Sequence, residues 1–483
     1  MKREMIWIAI GALLLPIVAR ALWFYHGVSI RPAIATPDYA SFTMPLPPLE
    51  TPIADEKIKQ LGGVVLVDTS HTNQFQPAEI QSLQEDVEKR GGKLEFLSDS
   101  TLLENHLKYA SAYALFSPST SFTQLEINLI QAFVERGGRL AVFTDATRGM
   151  VFSDFFTGAT TTSPDTNIAN PLLEPFGISV DNDYMYNLEK NEGNFRNVFF
   201  DKFGKTELTF GLKQVALYGT HSVRSDSGLV LLRGAESTFS SVSDVYDPTE
   251  GGAAISDDGN VVAFGDFTFL TPPYNNVADN STLIANIADF LLGGKRAPSL
   301  TNFPYIFNQA VLQVFPTPDV QMTAEMVGAL SSLQTSLRAV NISMEIVTEK
   351  PTDGDVLQLG TLTSSDDLDA ISNKFNLNFD ESTDYVTVPG FGNIGRTGNG
   401  LLLFEPKKKG NTLVLLSDTL DDLTALVNVV SSGSLTSCIV QDKAGVCSVG
   451  FGGSFSSGES TDGSSSATVD ETSTPEPEAT PAG

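Results

Sequence analysis

The stretch RGGRLAVFTDATRG, residues 136–149, decides how the chain folds. Gly137 and Gly138 supply the positive φ that a helix C-cap requires. Leu140, Ala141, Val142 and Phe143 form an apolar run without alternation, the mark of a strand covered on both faces. The chain then turns polar at Thr144, Asp145, Ala146 and Thr147. In open α/β sheets, ligands and catalytic groups sit just past the carboxyl ends of strands. Here that position offers a carboxylate and two hydroxyls, but no cysteine and no nucleophile motif.

Working outward, the junction EKRGGKL at 88–94 repeats the solution ERGGRL at 135–140, a shared C-cap and not a duplication. Apolar runs at 64–67, 93–97 and 112–116 read as strands. They alternate with a helix over 77–90 and another capped by Ser121 or Thr123, whose inward face holds Ile127, Ile130 and Val134. Such alternation implies a parallel, flavodoxin-like sheet with right-handed crossovers. Between 150 and 212 the periodicity fades, as in a long insertion or lid over the strand ends. Strands follow at 214–218 and 228–232, then a hairpin of 252–255 and 260–264 around Asp257-Asp258-Gly259. A helix over 283–292, capped by Asn280 or Ser281 and stopped by Gly293-Gly294, closes a first domain of 57–295. A second α/β domain is expected over 300–450, with a long helix at 320–340 that turns Met326, Val327, Leu330, Leu333 and Leu337 inward. The fold class is therefore α/β, two tandem domains.

The N-terminus reads Met1-Lys2-Arg3 and then an apolar segment reaching Tyr25, interrupted only by Arg20. Over 6–25 a helix would span about 30 Å at about 1.5 Å per residue, enough for a bilayer core. The segment is a signal anchor or a cleaved export signal, since Ala19-Arg20-Ala21 also suits a cleavage site. Either way Lys2 and Arg3 stay cytoplasmic and the bulk of the chain is extracytoplasmic. Pro32, Pro37, Pro45, Pro47, Pro48 and Pro52 make 29–56 a semi-extended linker. From 451 on, Gly, Ser, Thr, Glu and Pro replace apolar residues, a composition that stays disordered.

Composition removes several functions. The 483 residues carry a formal charge of −28, which repels phosphate backbones and excludes nucleic acid as a partner. The basic run Lys407 to Lys409 suits a solvated hairpin tip. Four histidines and two cysteines leave little for a zinc-type site. Outside the membrane, Cys438 and Cys447 suit a disulfide across the turn at 442–445. The glycines from Gly390 to Gly400 lack the Lys-Ser/Thr ending of a phosphate loop, and no Gly-x-Ser-x-Gly elbow exists.

Taken together, VVLVDTSH, the two RGG junctions, YALFSPS, RGGRLAVFTDA, VVAFGDFTFL and NSTLIANIADFLLGG resemble the class I glutamine amidotransferase-like fold, in its DUF4350/GldG-like branch, over 57–295. The resemblance implies an exported or transporter-associated protein. Active members carry a nucleophilic cysteine after the strand matching 140–143, with a His-x-Glu downstream. Here Thr144-Asp145-Ala146 stands in the first place, and Ser222-Val223 follows His221 in the second. The resemblance thus implies the fold without the amidotransferase reaction. In the second domain, LLLFEP and NTLVLLSDTLDDLTALVNVV resemble α/β modules of cell-envelope proteins such as the periplasmic subunit of bacterial cellulose synthase.

Asp68, Asp145 and Asp266 each follow an apolar strand. If those strands adjoin, the carboxylates converge with His71 and Thr147 into a ligand site, holding Mg²⁺ or Ca²⁺ or pairing as acid and base. Alternatively each aspartate caps the backbone amides of its own turn, and His71 is solvated. The first arrangement places Asp68 and Asp145 within one ligand's reach, in a pocket under the 150–212 insertion. It makes Asp145 an exposed residue whose loss costs no more than about 0.5 kcal/mol. The expected function is a non-catalytic binding or scaffolding protein of the cell envelope, without cofactor, accessory to a transporter or polysaccharide complex. The alternative is a divalent-metal-dependent hydrolase using the strand-end aspartates.

Overall fold

The computed structural model describes residues 2–25, 58–153, 160–243, 245–363, 365–380, 382–433 and 435–450, with 150–153 and 160–163 described by backbone alone. The linker expected over 29–56 and the tail expected over 451–483 lie outside the described residues. The chain divides into two compact units, Met1–Ile58 and Lys59–Gly483. Among the described residues the first contains one helix, Lys2–Phe24, of 23 residues and mean hydropathy 2.2, long and apolar enough to cross a membrane.

The second unit is mixed α/β and holds two large sheets. The first sheet has eight strands in the order Lys202–Phe203, Leu229–Arg233, Ala253–Ile255, Val261–Phe264, Arg139–Phe143, Ala112–Phe116, Val64–Asp68 and Lys93–Leu97. The last five run parallel, and the first three extend the sheet through successive antiparallel pairings. Parallel strands are covered on both faces, and successive side chains divide between two cores. Val65, Val67, Ala141 and Phe143 meet the helices Gln81–Lys89 and Asn280–Leu292. Leu66, Leu140 and Val142 meet Leu103–Leu107, Gln124–Glu135 and Thr166–Leu173.

Local chemistry explains the junctions. Thr123 caps Gln124–Glu135 with a reciprocal capping box to Glu126. The helix ends with Gly137 at φ 89°, where the Gly137 and Gly138 amides donate to Val134 O and Phe133 O. Gly91 at φ 76° does the same after Gln81–Lys89. The hairpin pairs Ala253 with Phe264 and Ile255 with Val262. The helix Asn280–Leu292 has Asp279 at its N-cap position, one residue before the expected Asn280, and makes no side-chain cap there.

The region read as a featureless insertion holds regular structure, and it does not end at 212. The helix Thr166–Leu173 packs on the sheet. The strands Ile178–Val180, Met185–Asn187 and Asn197–Phe200 pair with Val223–Ser225, Thr238–Ser240 and Val215–Tyr218 in three ribbons. Val215–Tyr218 is thus a ribbon strand outside the main sheet. Its apolar run is satisfied by that partner as well as a sheet neighbour would satisfy it.

The second sheet has the order Ser343–Ile346, Val311–Pro316, Asp355–Thr361, Thr412–Ser417, Asn399–Glu405, Ala444–Ser448 and Cys438–Val440, the first four parallel. The helices Ala324–Arg338 and Leu420–Ser431 cover one face, and Asp366–Phe375 with a small three-stranded sheet covers the other. Val327 is exposed, unlike Met326, Leu330, Leu333 and Leu337, because it falls outside the apolar stripe that those four form at three- and four-residue spacing. Cys438 and Cys447 face each other across adjacent strands and form a disulfide.

Candidate functional site at the carboxyl edge of the first sheet

Four parallel strands end side by side in the order Val261–Phe264, Arg139–Phe143, Ala112–Phe116 and Val64–Asp68. The strand Ala112–Phe116 stands between those that carry Asp145 and Asp68. This order corrects the expectation that the three aspartates meet: Asp145 neighbours Asp266, and Asp68 belongs to a separate cluster.

All three carboxylates are buried, and each accepts from the amide two residues on. Ser70 N lies 3.3 Å from Asp68 Oδ1, Thr147 N 2.8 Å from Asp145 Oδ1, and Thr268 N 2.7 Å from Asp266 Oδ1. Tight turns after buried strands leave such amides without sheet partners, and a short acidic side chain satisfies them.

Around Asp68, His71 Nδ1 lies 2.9 Å from Asp68 Oδ2, and Nε2 lies 3.6 Å from Glu126 Oε1. The imidazole stacks on Phe122 at 3.8 Å and is buried, so the solvated reading of His71 is corrected. Burial opposes both charges, yet the hydrogen bond and charge of His71 hold the Asp68 carboxyl below its usual range. Asp68 and Glu126 likewise outweigh burial and raise the His71 imidazole. The His71 carbonyl accepts from Ser119 N and Thr120 N, which ties this ion pair to the loop after Ala112–Phe116.

Asp145 is fully buried, which corrects its expected exposure. Beyond Thr147 N it accepts from Thr147 Oγ1 at 2.5 Å, Arg148 Nε at 3.2 Å and Thr268 Oγ1 at 3.1 Å. Arg148 also grips Glu79 bidentately, at 3.0 and 2.6 Å, and lies 4.3 Å from the Phe267 ring centroid. Thr147 itself is exposed. Asp266 takes Tyr218 N at 2.8 Å on its second oxygen. Burial, then the charge of Asp145, push Asp266 up to about 8 despite these donors. Burial also raises Asp145, against Thr147 and Arg148.

A third cluster escaped the sequence reading. Ser117 follows Phe116 with a left-handed φ of 42° and donates its hydroxyl to Asp165 Oδ2 at 2.6 Å. Asp145 N donates to the same oxygen at 2.9 Å. His221 lies between Asp165 Oδ1, 3.3 Å from Nε2, and Asp183 Oδ1, 3.9 Å from Nδ1. Neither ring nitrogen makes a hydrogen bond among the described residues. Asp183 accepts from Ser222 N, Ser222 Oγ and Ser240 Oγ. A serine nucleophile needs a histidine between itself and the carboxylate. Here the carboxylate stands between, and Ser117 is wholly buried. The arrangement ties sheet to ribbons; it does not activate a hydroxyl. The available signals were the Ser117-Pro118 break after a buried strand and the doubled acid of Asp181-Asn182-Asp183.

No group of three or more His, Cys, Asp or Glu side chains among the described residues is placed to hold a metal ion. No protein-family model and no curated protein matches the chain. Among solved structures, it is similar to one described as the mmIFT52 N-terminal domain, at 15% identity and a TM-score of 0.38, covering 48% of this chain and 99% of that one. A putative ThuA-like protein from Bacteroides uniformis is similar at 13% identity and a TM-score of 0.29, covering 49% and 92%. PurLQS from Thermotoga maritima is similar at 11% identity and a TM-score of 0.24, covering 47% and 96%. Likenesses this distant leave the site to be read from its own geometry.

Proposed function

We propose that the protein is a membrane-tethered, extracytoplasmic binding or scaffolding module of the cell envelope, accessory to a transporter or polysaccharide complex, whose first lobe is a non-catalytic member of the amidotransferase-like fold. One observation carries this reading. At the edge where such a sheet would present reactive groups, the carboxylates of Asp68, Asp145 and Asp266 are buried and occupied by the amides of their own turns. Groups so engaged hold loops in place, and the loops and ribbons they hold offer a shaped surface to a partner. The apolar N-terminal helix, with Lys2 and Arg3 in its first turn, and the Cys438–Cys447 disulfide are in keeping with an anchored chain in an oxidising compartment.

Protease added outside sealed, right-side-out vesicles should digest the second unit, and cross-linking before solubilisation should recover the module with an envelope or transporter protein. Protection of residues 59–450 from that protease overturns the location. Saturable magnesium or calcium binding by calorimetry, lost in Asp266→Asn, would overturn the non-catalytic reading in favour of a metal-dependent hydrolase.

A further inference from the structure

One opening in the second unit lies away from the carboxyl edge. It is a cleft of about 520 Å³ between the two sheets, within the range of small-molecule sites. It sits at the amino edges of both, where Lys108 and Tyr109 precede one strand and Ala310, Ile342 and Asn411 precede three others. Ligands of open α/β sheets are usually sought at the opposite edge.

Its lining is unlike the rest of the molecule. The chain carries a formal charge of −28, yet no aspartate or glutamate lines the cleft, whereas Lys108 and Arg296 do. Among the described residues neither cation pairs with a carboxylate. Lys108 Nζ donates to Asn105 Oδ1 at 3.3 Å, and Arg296 donates to Ala110 O at 2.8 Å and Lys108 O at 2.7 Å. Burial and then the nearby charge of Arg136 lower Arg296 to about 10, so this corner holds more positive charge than it neutralises. Asn302 also lines the cleft. It is 5% exposed, and its Oδ1 accepts no hydrogen bond, a buried acceptor left without a donor. Tyr109 and Tyr305 stand together at 4.7 Å between ring centroids, with Tyr305 38% exposed.

We infer that this cleft binds a small, carboxylated, hydroxyl-bearing ring of the sugar-acid class. A carboxylate meets the unneutralised Lys108 and Arg296, a ring hydroxyl supplies the donor that Asn302 Oδ1 lacks, and the apolar C–H face of the ring lies against Tyr305. An inorganic anion would satisfy the cations but neither the amide acceptor nor the aromatic face. A neutral sugar would do the reverse. The site is independent of the carboxyl-edge reading, and its failure leaves that reading untouched.

The test is isothermal titration of the full chain in detergent with D-glucuronate, D-glucose and acetate. Glucuronate should bind saturably at one site, with glucose and acetate each at least tenfold weaker. Lys108→Gln should weaken glucuronate at least tenfold without changing glucose, and Tyr305→Ala should weaken both sugars. The absence of saturable glucuronate binding, acetate binding as tightly as glucuronate, or glucuronate affinity unchanged by Lys108→Gln overturns the assignment. If Tyr305→Ala melts below the native chain, Tyr305→Leu replaces it, with the same loss expected because the leucine lacks an aromatic face.

Discussion

His221 Nε2 lies 3.3 Å from Asp165 Oδ1, and neither atom makes a hydrogen bond among the described residues. With Asp183 on the far side of the ring, two buried carboxylates flank one buried histidine. Removing one partner from a buried polar cluster is costly because the groups that remain are left unsatisfied away from water. His221→Leu should therefore destabilise the second unit by about 3 kcal/mol in denaturant titration. Asp165→Asn added to it should recover part of that loss, a coupling read from the double-mutant cycle. Additive losses would show that His221 and Asp165 do not interact.

Asp68 and His71 predict a pH dependence. His71 is raised in the fold, so its contribution is complete below its unfolded value near 6.5 and is lost as pH rises through the raised value. Asp68 is lowered, so its contribution is present above its unfolded value near 3.8 and is lost on acidification. The pair should stabilise most between about pH 4 and 6.5. His71→Gln should cost more at pH 6 than at pH 9 in thermal melts, and an equal cost at both would show that the imidazole is not held charged.

The disulfide joins Cys438 and Cys447 across an edge hairpin, with nine residues of separation. Closing so short a loop restricts the unfolded chain little, so reduction should cost about 2 to 3 kcal/mol at most. Hydrogen exchange should accelerate in Cys438–Val440 and Ala444–Ser448 and remain unchanged in the first sheet. Acceleration across the first sheet would mean that the two sheets unfold as one.

How much of this was legible can be argued residue by residue. Val65 and Val67 against Leu66, the RGG stops and the Asp258-Gly259 turn are local signals, since each depends on neighbours within a few residues. They placed the strands, helices and hairpin of the first sheet. Strand order is not local. Nothing near Asp145 says that Ala112–Phe116 separates it from Asp68, or that Asp165, twenty positions on, would accept its amide. The run at 214–218 reads as a strand, but an apolar run does not name its partner, and its place beside Asn197–Phe200 is visible only in the fold. The inter-lobe cleft has no motif, as its lining comes from scattered turns and strand starts that converge only when both sheets are folded.

Asp145 and Asp266 make the last prediction. Asp266, pushed up to about 8 by burial and then by Asp145, holds its proton in the fold at pH values where the unfolded chain has released it. A raised acid disfavours the fold increasingly as pH climbs, so stability should fall between about pH 4 and 8 on this account. Asp266→Asn cannot ionise, and its melting temperature should lack that decline. It should nonetheless start lower, because an amide nitrogen replaces one of the oxygens that accept Tyr218 N and Thr268 N. Asp145→Ala should act differently. It removes the acceptor shared by Thr147, Arg148 and Thr268, which should cost about 2 kcal/mol or more, well above an exposed change. It also removes the negative charge beside Asp266, which lowers that group's value in the fold, so the decline with pH should be smaller and should end at a lower pH than in the native chain. Melts at pH 5, 7 and 9 separate the two variants. A native decline that survives Asp266→Asn unchanged would show that another group carries it.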